Sequence, residues 1–272
     1  SYRILCALYY CILSFFCISC FESDSSFMDI STGNISNSEN SSGSGSSTGT
    51  NIERVAMNVI SQYTAPDGPC ALTFDGTYIW LLSHATQELY KYNTNGILQS
   101  CISPDVSYYG GLCQNYAIQY YNGNILTTAE TPASKLYKIN MSTGANEGFL
   151  GITLVNSGDE FTGLTFYNGY FWATVYNYKD YEDRIYKMDT NGNHILTLSV
   201  FDHAYGIAVK DNYFWVLNYD DDTICKVDPS NGSILKICDA PGTNCAGITY
   251  DGQYFWVTDY STDKLFKIVI IE

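Results

Sequence analysis

A nine-residue pattern of apolar and polar positions recurs five times along the chain. Each copy begins with an aliphatic residue, passes through a polar turn and ends on a large apolar residue, which is Trp in four copies and Leu in the other. The copies cover residues 72–80, 118–126, 164–172, 207–215 and 248–256. Their last residues lie 46, 46, 43 and 41 positions apart, a spacing typical of repeats that each form one small sheet.

Within each repeat the apolar residues alternate with a period of two, which predicts strands and argues against amphipathic helices. Tight turns such as Asp211-Asn212 and Asn231-Gly232 separate the strands, because these residue types tolerate positive φ. Four antiparallel strands, named a to d, in about 43 residues are typical of a propeller blade. In the fourth repeat they are predicted at residues 205–209, 213–217, 223–227 and 233–237.

The fifth repeat reaches Glu272 just after its third strand, and its missing fourth strand has a counterpart upstream of the first repeat. Residues 58–66 there resemble residues 233–241. We therefore predict an all-β fold, a five-bladed β-propeller over residues 52–272. In it, residues 55–63 pair as the outer strand beside residues 266–271, which closes the ring and removes free sheet edges.

A second recurring formula, aliphatic, bulky, Lys and apolar, marks strand c of each repeat. We interpret its lysine as an edge residue that lays its stem on apolar surface and extends its ammonium to water. Most of the 25 tyrosines are expected to pack between blades. The alternative for a few of them is an aromatic platform that binds sugar. The formula stands at residues 89–92, 136–139, 185–188, 224–227 and 265–268.

Residues 1–20 differ in character from the repeats. Arg3 precedes an apolar run at residues 4–18, which is short for a membrane span. The run ends in Cys17-Ile18-Ser19-Cys20, which resembles the end of a bacterial lipoprotein signal peptide. The resemblance implies that Cys20 is lipidated and becomes the mature N-terminus. A cleaved secretory signal without an anchor is the alternative.

Residues 21–51 are rich in Ser, Gly, Asn and Thr and cannot bury enough apolar surface to fold. We interpret them as a disordered tether, and about 30 flexible residues have a root-mean-square reach of roughly 30 Å. The formal net charge of −15 argues against binding of nucleic acid and against adhesion to anionic lipid. Membrane contact is therefore expected through the lipid anchor only, at the cell surface or in the periplasm, and the propeller is expected to be a monomer.

Six cysteines follow Cys20, an even number that fits an oxidising compartment. Two of them end strand d of their repeats, and each is followed across a loop by another cysteine. We predict disulfides between Cys101 and Cys113 and between Cys238 and Cys245, each stabilising the fold by about 2 to 3 kcal/mol.

The two other cysteines take part in no predicted disulfide. Cys225 replaces an aromatic residue of strand c and is expected to be a buried thiol, and the partner of Cys70 is left open. None of the six stands in a Cys-x-x-Cys pair, so a cysteine metal site is not expected.

In a propeller the loops from d to a and from b to c open around the mouth of the central channel, and function concentrates in such loops. Here they form an acidic rim with two histidines. The residues predicted to bind ligand are Gln114, Asn115, Glu130, Glu160, His203, Asn244 and Asp259. The same loops hold His84, Tyr176, Asn177, residues 218–222 and Tyr260.

Two kinds of chemistry are considered for this rim. Carboxylate oxygens suit Ca²⁺, with Asp159, Glu160 and Asp202 as candidate ligands, and no other cofactor is expected. Glu160 and His203 are the candidate acid/base pair, because equivalent loops of the third and fourth repeats could bring both toward the channel mouth. The chain has no Gly-x-Ser-x-Gly motif, phosphate loop or metalloprotease helix motif.

The repeat resembles the NHL, YVTN and lactonase-type propellers, above all in residues 248–259 followed by residues 265–268. The resemblance covers residues 52–272 and implies the fold alone, since this scaffold carries many functions. The count of five blades is also similar to glutaminyl cyclases of the plant and bacterial type, which form pyroglutamate at peptide N-termini. The active-site residues of those enzymes do not map onto motifs of this chain.

The sequence therefore favours a surface or periplasmic lipoprotein whose propeller binds a protein, peptide or glycan through its loop face. The alternative is an enzyme of the cyclase, lactonase or lyase type with its site at the channel mouth. A binding protein is expected to present a broad, shallow face. An enzyme is expected to hold Glu160 and His203 in a deep pocket.

Overall fold

The computed structural model describes residues 52–106, 117–128 and 135–272. The predicted signal peptide at residues 1–20 and the tether at residues 21–51 lie outside these ranges. The same is true of five residues to which the sequence assigns roles: Cys20, Cys113, Gln114, Asn115 and Glu130.

The described residues form strands and turns without helices, so none of them belongs to a helix that could cross a membrane. The strands are β1 (Glu53–Arg54), β2 (Ala56–Thr64), β3 (Pro69–Phe74), β4 (Tyr78–Ser83), β5 (Leu89–Asn93), β6 (Leu98–Ile102), β7 (Ile118–Tyr121), β8 (Asn124–Thr128), β9 (Lys135–Asn140), β10 (Asn146–Gly151), β11 (Asp159–Tyr167), β12 (Tyr170–Asn177), β13 (Asp183–Met188), β14 (His194–Ser199), β15 (Ala204–Lys210), β16 (Tyr213–Asn218), β17 (Thr223–Val227), β18 (Ile234–Asp239), β19 (Cys245–Tyr250), β20 (Phe255–Asp259) and β21 (Lys264–Ile271).

These strands form five antiparallel blades. Blades 1 to 4 contain β3–β6, β7–β10, β11–β14 and β15–β18, each in chain order, and blade 5 contains β19, β20, β21 and β2. The first strands of neighbouring blades contact one another around a closed ring, in which β19 also contacts β3. The predicted five-bladed propeller is confirmed.

The last blade is closed as the sequence predicts. Strand β2 pairs antiparallel with β21, from Ala56 opposite Ile271 to Thr64 opposite Lys264. A feature that the sequence analysis did not predict is β1, which adds to the outer edge of blade 4 as a parallel strand beside β18. The Val55 amide continues this pairing by donating to the Ile237 carbonyl at 2.8 Å.

The inner strands approach one another so closely that the ring requires small residues. A Cβ atom added at Gly206 would lie 2.6 Å from the Ala246 carbonyl oxygen and 2.8 Å from the Ile248 nitrogen. The narrow opening at this level is lined by small and aliphatic residues. The small residues at equivalent repeat positions are Ala71, Ala117, Gly163, Gly206 and Gly247.

The repeated tryptophans are buried between blades. Because successive side chains of a strand point to opposite faces of its sheet, residues two apart bury the same apolar face. Opposite Trp80 in the ladder stands Lys91, whose Nζ lies 3.8 Å from the centroid of the Tyr78 ring. The other three tryptophan-containing blades repeat this cation–π contact. The strand c lysine is therefore held over aromatic rings, a more specific role than extension to water.

The cysteines differ from the sequence prediction. Cys238 and Cys245 are both buried as free thiols, so the predicted bond between them is not formed in the structure. The Cys238 Sγ atom lies against the Ile224 carbonyl oxygen, whereas the Cys245 Sγ atom lies against that of Gly242. Cys225 is a buried thiol, as predicted, and Cys70 is buried with its Sγ atom 3.2 Å from the Leu82 carbonyl oxygen. Cys101 is exposed on β6.

Candidate functional site

Neighbouring blades are tied together at the loop face by a repeated carboxylate clamp. An aspartate at the b-to-c loop accepts a hydrogen bond from a backbone amide of the next blade's d-to-a loop. The donor residue has a left-handed backbone in each case, with φ between 61° and 62°. The pairs are Asp183 with His203 at 2.8 Å, Asp222 with Asn244 at 3.1 Å and Asp263 with Gly68 at 2.9 Å.

Blade 3 departs from this repeat by a longer hairpin. The Tyr178 amide donates to Gly158, as the Tyr219 amide donates to His203. Gly158 is thus the structural counterpart of His203, and Glu160 lies two residues further on, inside strand β11. The equivalence of Glu160 and His203 that was inferred from repeat spacing is wrong, because the extra residues fall on both sides of the blade 3 hairpin.

Three polar side chains form a row across blade 3. Glu160 stands opposite Tyr176 in the β11–β12 ladder, and Tyr176 stands opposite Asp183 in the β12–β13 ladder. Residues directly opposite one another project from the same face of a sheet. The clamp from Asp183 to His203 identifies that face as the one toward blade 4.

We name this region the blade 3–4 cleft. Its walls are Glu160, Tyr176 and Asp183 on blade 3 and His203 and Tyr205 on blade 4. The Glu160 and His203 side chains therefore border one cleft although their backbone positions are not equivalent. Direct acid/base coupling between them stays a prediction.

Aromatic rings continue from the cleft around the loop face. Tyr205 stacks on Tyr219, with ring centroids 4.7 Å apart and an interplanar angle of 23°. Further along, the Tyr260 hydroxyl lies 3.2 Å from His84 Nδ1. We name Tyr176, Tyr205, Tyr219 and Tyr260 the tyrosine arc, and each is partly exposed. The arc spans blades 3, 4 and 5 and meets blade 1 at His84.

Three tyrosines of the arc have a raised pKa and stay protonated at neutral pH, namely Tyr205, Tyr219 and Tyr176. Burial raises the pKa of Tyr205 well above its ordinary value, and Tyr219 and Asp183 add to this shift. The pKa of Tyr219 is raised by burial and then by Tyr260 and Asp220. Burial, followed by Tyr181 and Asp183, raises the pKa of Tyr176. The phenols can therefore donate hydrogen bonds while their rings present apolar faces.

Asp183 is the most strongly perturbed acid of the cleft. Its residue is only 5% exposed, and this burial raises its pKa to about 6, against the opposing effect of the His203 amide and imidazole. The Asp183 Oδ1 atom is buried and has no hydrogen-bond partner among the described residues. His203 Nε2 is instead 3.2 Å from Asp220 Oδ2. The Ala204 amide also lowers the Asp183 pKa, but no donor forms a hydrogen bond of normal geometry with Oδ1.

Asp159, a predicted calcium ligand, has a structural role. Its side chain accepts hydrogen bonds from Tyr186 Oη at 2.6 Å, Asn177 Nδ2 at 2.7 Å and the Asn156 amide at 2.8 Å. It is fully buried, whereas Asp202 is exposed. Within residues 52–106, 117–128 and 135–272, no group of three or more His, Cys, Asp and Glu side chains could hold a metal ion. The calcium hypothesis gains no support there.

Two predicted ligand-binding residues are used by the loops themselves. Asn244 donates its amide to Asp222, and the buried Asp259 accepts from the Ser261 amide at 2.9 Å and the Thr262 amide at 3.2 Å. Gln114, Asn115 and Glu130 lie outside the described residues. Sequence reasoning missed Asp183 and Tyr205. Asp183 could have been found as the blade 3 equivalent of Asp222 and Asp263, which also begin or precede strand c.

Comparison with known proteins supports the fold. No protein-family model and no curated protein matches the chain. Among solved structures, glutaminyl cyclase of Myxococcus xanthus is similar with a TM-score of 0.64 and 12% identity, over 80% of this chain and 98% of that chain. The chain is a five-bladed β-propeller. A virginiamycin B lyase from Staphylococcus aureus matches with a TM-score of 0.49 and 12% identity, over 79% of this chain and 100% of the lyase. At 12% identity, the feature shared with the cyclase is the fold.

Proposed function

We propose that this chain is an exported, lipid-anchored propeller that binds a protein, peptide or glycan through its loop face. The observation that carries the proposal is the tyrosine arc. Partly exposed aromatic rings with protonated hydroxyls are the side chains that dominate recognition surfaces, because each offers apolar area and a hydrogen-bond donor at low entropic cost. Propeller loops hold such groups on a rigid scaffold.

The distribution of charge limits which classes of ligand this face can bind. The net charge is −15. The exposed Asp220 lies near Tyr205, and the exposed Asp202 lies near Asp183. A nucleic acid or an acidic polymer would be repelled. A neutral glycan or a peptide with basic residues is compatible with this face.

Alanine variants of the arc test the binding surface. The wild-type protein is first screened on peptide and glycan arrays, and Tyr219→Ala and Tyr260→Ala are then compared with it. Each substitution is expected to weaken binding about tenfold, since truncation of a central interface aromatic costs more than about 1 kcal/mol. Affinity is measured by calorimetry on the best array ligand.

Tyr213→Ala is the matched control for these variants. Tyr213 is also partly exposed and lies on the same strand as the residues leading to Tyr219, but at the opposite end, where it contacts Lys226. The control is expected to bind like the wild type. Equal loss in all three variants, or no loss in either arc variant, would contradict a ligand surface at the arc.

Export and anchoring rest on the N-terminal sequence. Replacing Cys20 by Ser is expected to release the protein from the membrane fraction, because diacylation at Cys20 would anchor the tethered propeller. Incorporation of labelled lipid and membrane fractionation measure the effect. Unchanged lipid incorporation in Cys20→Ser would refute the lipoprotein assignment and leave a secreted protein.

A second candidate function is enzymatic, of the cyclase, lactonase or lyase type. The observation that favours it is Asp183, a buried carboxyl group beside His203 whose pKa is raised to about 6, since perturbed acids in clefts often act in proton transfer. Mass spectrometry after incubation with glutaminyl peptides and with lactones tests this candidate. Turnover that disappears in Asp183→Asn would establish it, and turnover that persists would exclude Asp183 as the acid or base.

A further inference from the structure

The blade 3–4 cleft contains an acceptor that lacks a donor. The Oδ2 atom of Asp183 is occupied by the His203 amide at 2.8 Å. The Oδ1 atom is buried and has no hydrogen-bond partner in the described part of the chain. A buried carboxylate oxygen without a donor costs free energy, and such an atom in a native structure calls for an explanation.

The charged side chains near this oxygen are mainly acidic. Asp202 adds to the field at Asp183, and Glu160 projects from the same face of blade 3. The next residue of the strand, Arg184, projects from the opposite face, and its guanidinium is bonded to Asp180 at 2.7 Å and to Glu182 at 2.6 Å. The imidazole of His203 pairs with Asp220. The cleft therefore has an excess of negative charge toward which a cation is drawn.

Aromatic rings flank the same position. Tyr176 stands directly opposite Asp183 in the β12–β13 ladder. Tyr205 lies within electrostatic range of Asp183 and is held in place by its stack on Tyr219. A cation is stabilised electrostatically on the face of an aromatic ring, and more strongly when it is desolvated. A carboxylate oxygen with two adjacent tyrosines is a setting that suits an ammonium group.

We propose that the blade 3–4 cleft binds a primary ammonium group, which donates to Asp183 Oδ1 and rests against Tyr176 and Tyr205. This inference rests on the proposed binding function and names its ligand class, a lysine side chain or another alkylamine. An ammonium is favoured over a guanidinium because one oxygen of Asp183 is already used, and guanidinium gains most from binding two oxygens of one carboxylate.

Entry of the ligand requires Asp183 Oδ1 to be uncovered. The His203 side chain at the edge of the cleft is 46% exposed, so its ring has room to turn. Its backbone amide holds the other carboxylate oxygen, so rotation of the ring leaves the clamp intact. Local side-chain rearrangement of this kind is common at binding surfaces.

Three small probes test the proposal on the purified protein at pH 7.5. These are Nα-acetyl-lysine amide, the same compound acetylated at Nε, and Nα-acetyl-arginine amide. Ligand-observed NMR is expected to show binding of the lysine probe in the millimolar range and at least tenfold weaker binding of the neutral, Nε-acetylated probe. The arginine probe is expected to bind more weakly than the lysine probe.

Two variants assign the binding to Asp183. Asp183→Asn keeps the shape and an acceptor for the His203 amide, and it is expected to weaken binding of the lysine probe at least tenfold. Asp263→Asn makes the same change at the blade 5 clamp and is expected to bind the probe like the wild type. Melting curves of both variants establish that they are folded.

The outcomes separate this inference from the proposed function. Absence of lysine-probe binding, equal binding of the neutral probe, or equal binding by Asp183→Asn would each overturn the ammonium site. If the ammonium site is overturned, the proposed loop-face binding function would still be supported by array ligands that lack an amine and whose binding is weakened in Tyr219→Ala. Array ligands with a lysine whose binding is lost in Asp183→Asn would support both.

Discussion

Deletion of residues 52–63 is expected to prevent the propeller from closing and to cause aggregation. The deletion removes most of β2, which pairs with β21 along its length. It also removes Tyr63, whose ring stacks on Trp256 at 5.8 Å between centroids. Strand β21 would then present an open edge that carries Phe266, Ile268 and Ile270, a row of the kind that templates edge-to-edge association.

Size-exclusion chromatography with light scattering and circular dichroism measure this effect. A shorter deletion of residues 52–54 is the control, because it removes β1 and leaves β2 paired. The control is expected to remain monomeric, with a loss limited to the contacts of β1 with β18. A monomeric, cooperatively folded protein after the longer deletion would show that β2 is dispensable for closing the ring.

Asp183→Asn is expected to raise the free energy of unfolding by about 3 kcal/mol at pH 7.5, since the pKa shift of about two units corresponds to that energy. Burial raises the Asp183 pKa from 3.8 to about 6 in the native protein. The native state therefore binds the proton more tightly than the unfolded state. The resulting stabilisation is present in full below about pH 4 and is lost as the pH rises through about 6.

Denaturant unfolding from pH 4 to pH 7.5 measures this prediction as a difference between the variant and the wild type. Because asparagine has no charge to lose and still accepts from the His203 amide, the difference is expected to be near zero at pH 4 and largest at pH 7.5. The other acids titrate in both proteins, so their contribution cancels when the two free energies of unfolding are subtracted. A difference that stays constant with pH would mean that Asp183 titrates normally.

The two properties of Asp183 are linked. A carboxylate that is buried with an unfilled oxygen destabilises the protein at neutral pH, and removing a destabilising group from a functional site typically costs function. The combination expected here is a variant that is more stable and binds an ammonium more weakly. A variant that is more stable and binds equally well would indicate a structural origin for the strain.

The architecture was accessible from the sequence because its signals are local. A period of two places residues of one strand on alternate faces, and turns such as Asp251-Gly252 mark where strands reverse. The predicted strand at residues 223–227 matches β17 (Thr223–Val227), and the predicted strand at residues 213–217 matches β16 (Tyr213–Asn218) within one residue. The upstream closing strand was found because β2 has the same residue pattern as β18.

The candidate site was only partly accessible. Repeat spacing placed Glu160 and His203 in neighbouring loops, and both border the blade 3–4 cleft. Repeat spacing alone did not show that the blade 3 hairpin is longer. The extra residues lie in both of its strands, β11 and β12, where they continue the same alternation of apolar and polar residues. Neither did it identify the thiols of Cys238 and Cys245 as separate, because proximity in a loop does not determine where two side chains point.

The sequence by itself determined five blades, their strand order and the ring closure, since each follows from short-range alternation and turn chemistry repeated along the chain. Only the tertiary structure decided that Asp183 is buried with one unpaired oxygen and that Tyr176 and Tyr205 flank it. Burial and hydrogen-bond pairing at a blade interface depend on the relative placement of strands from two repeats. That placement is a long-range property, and a local residue pattern carries no record of it.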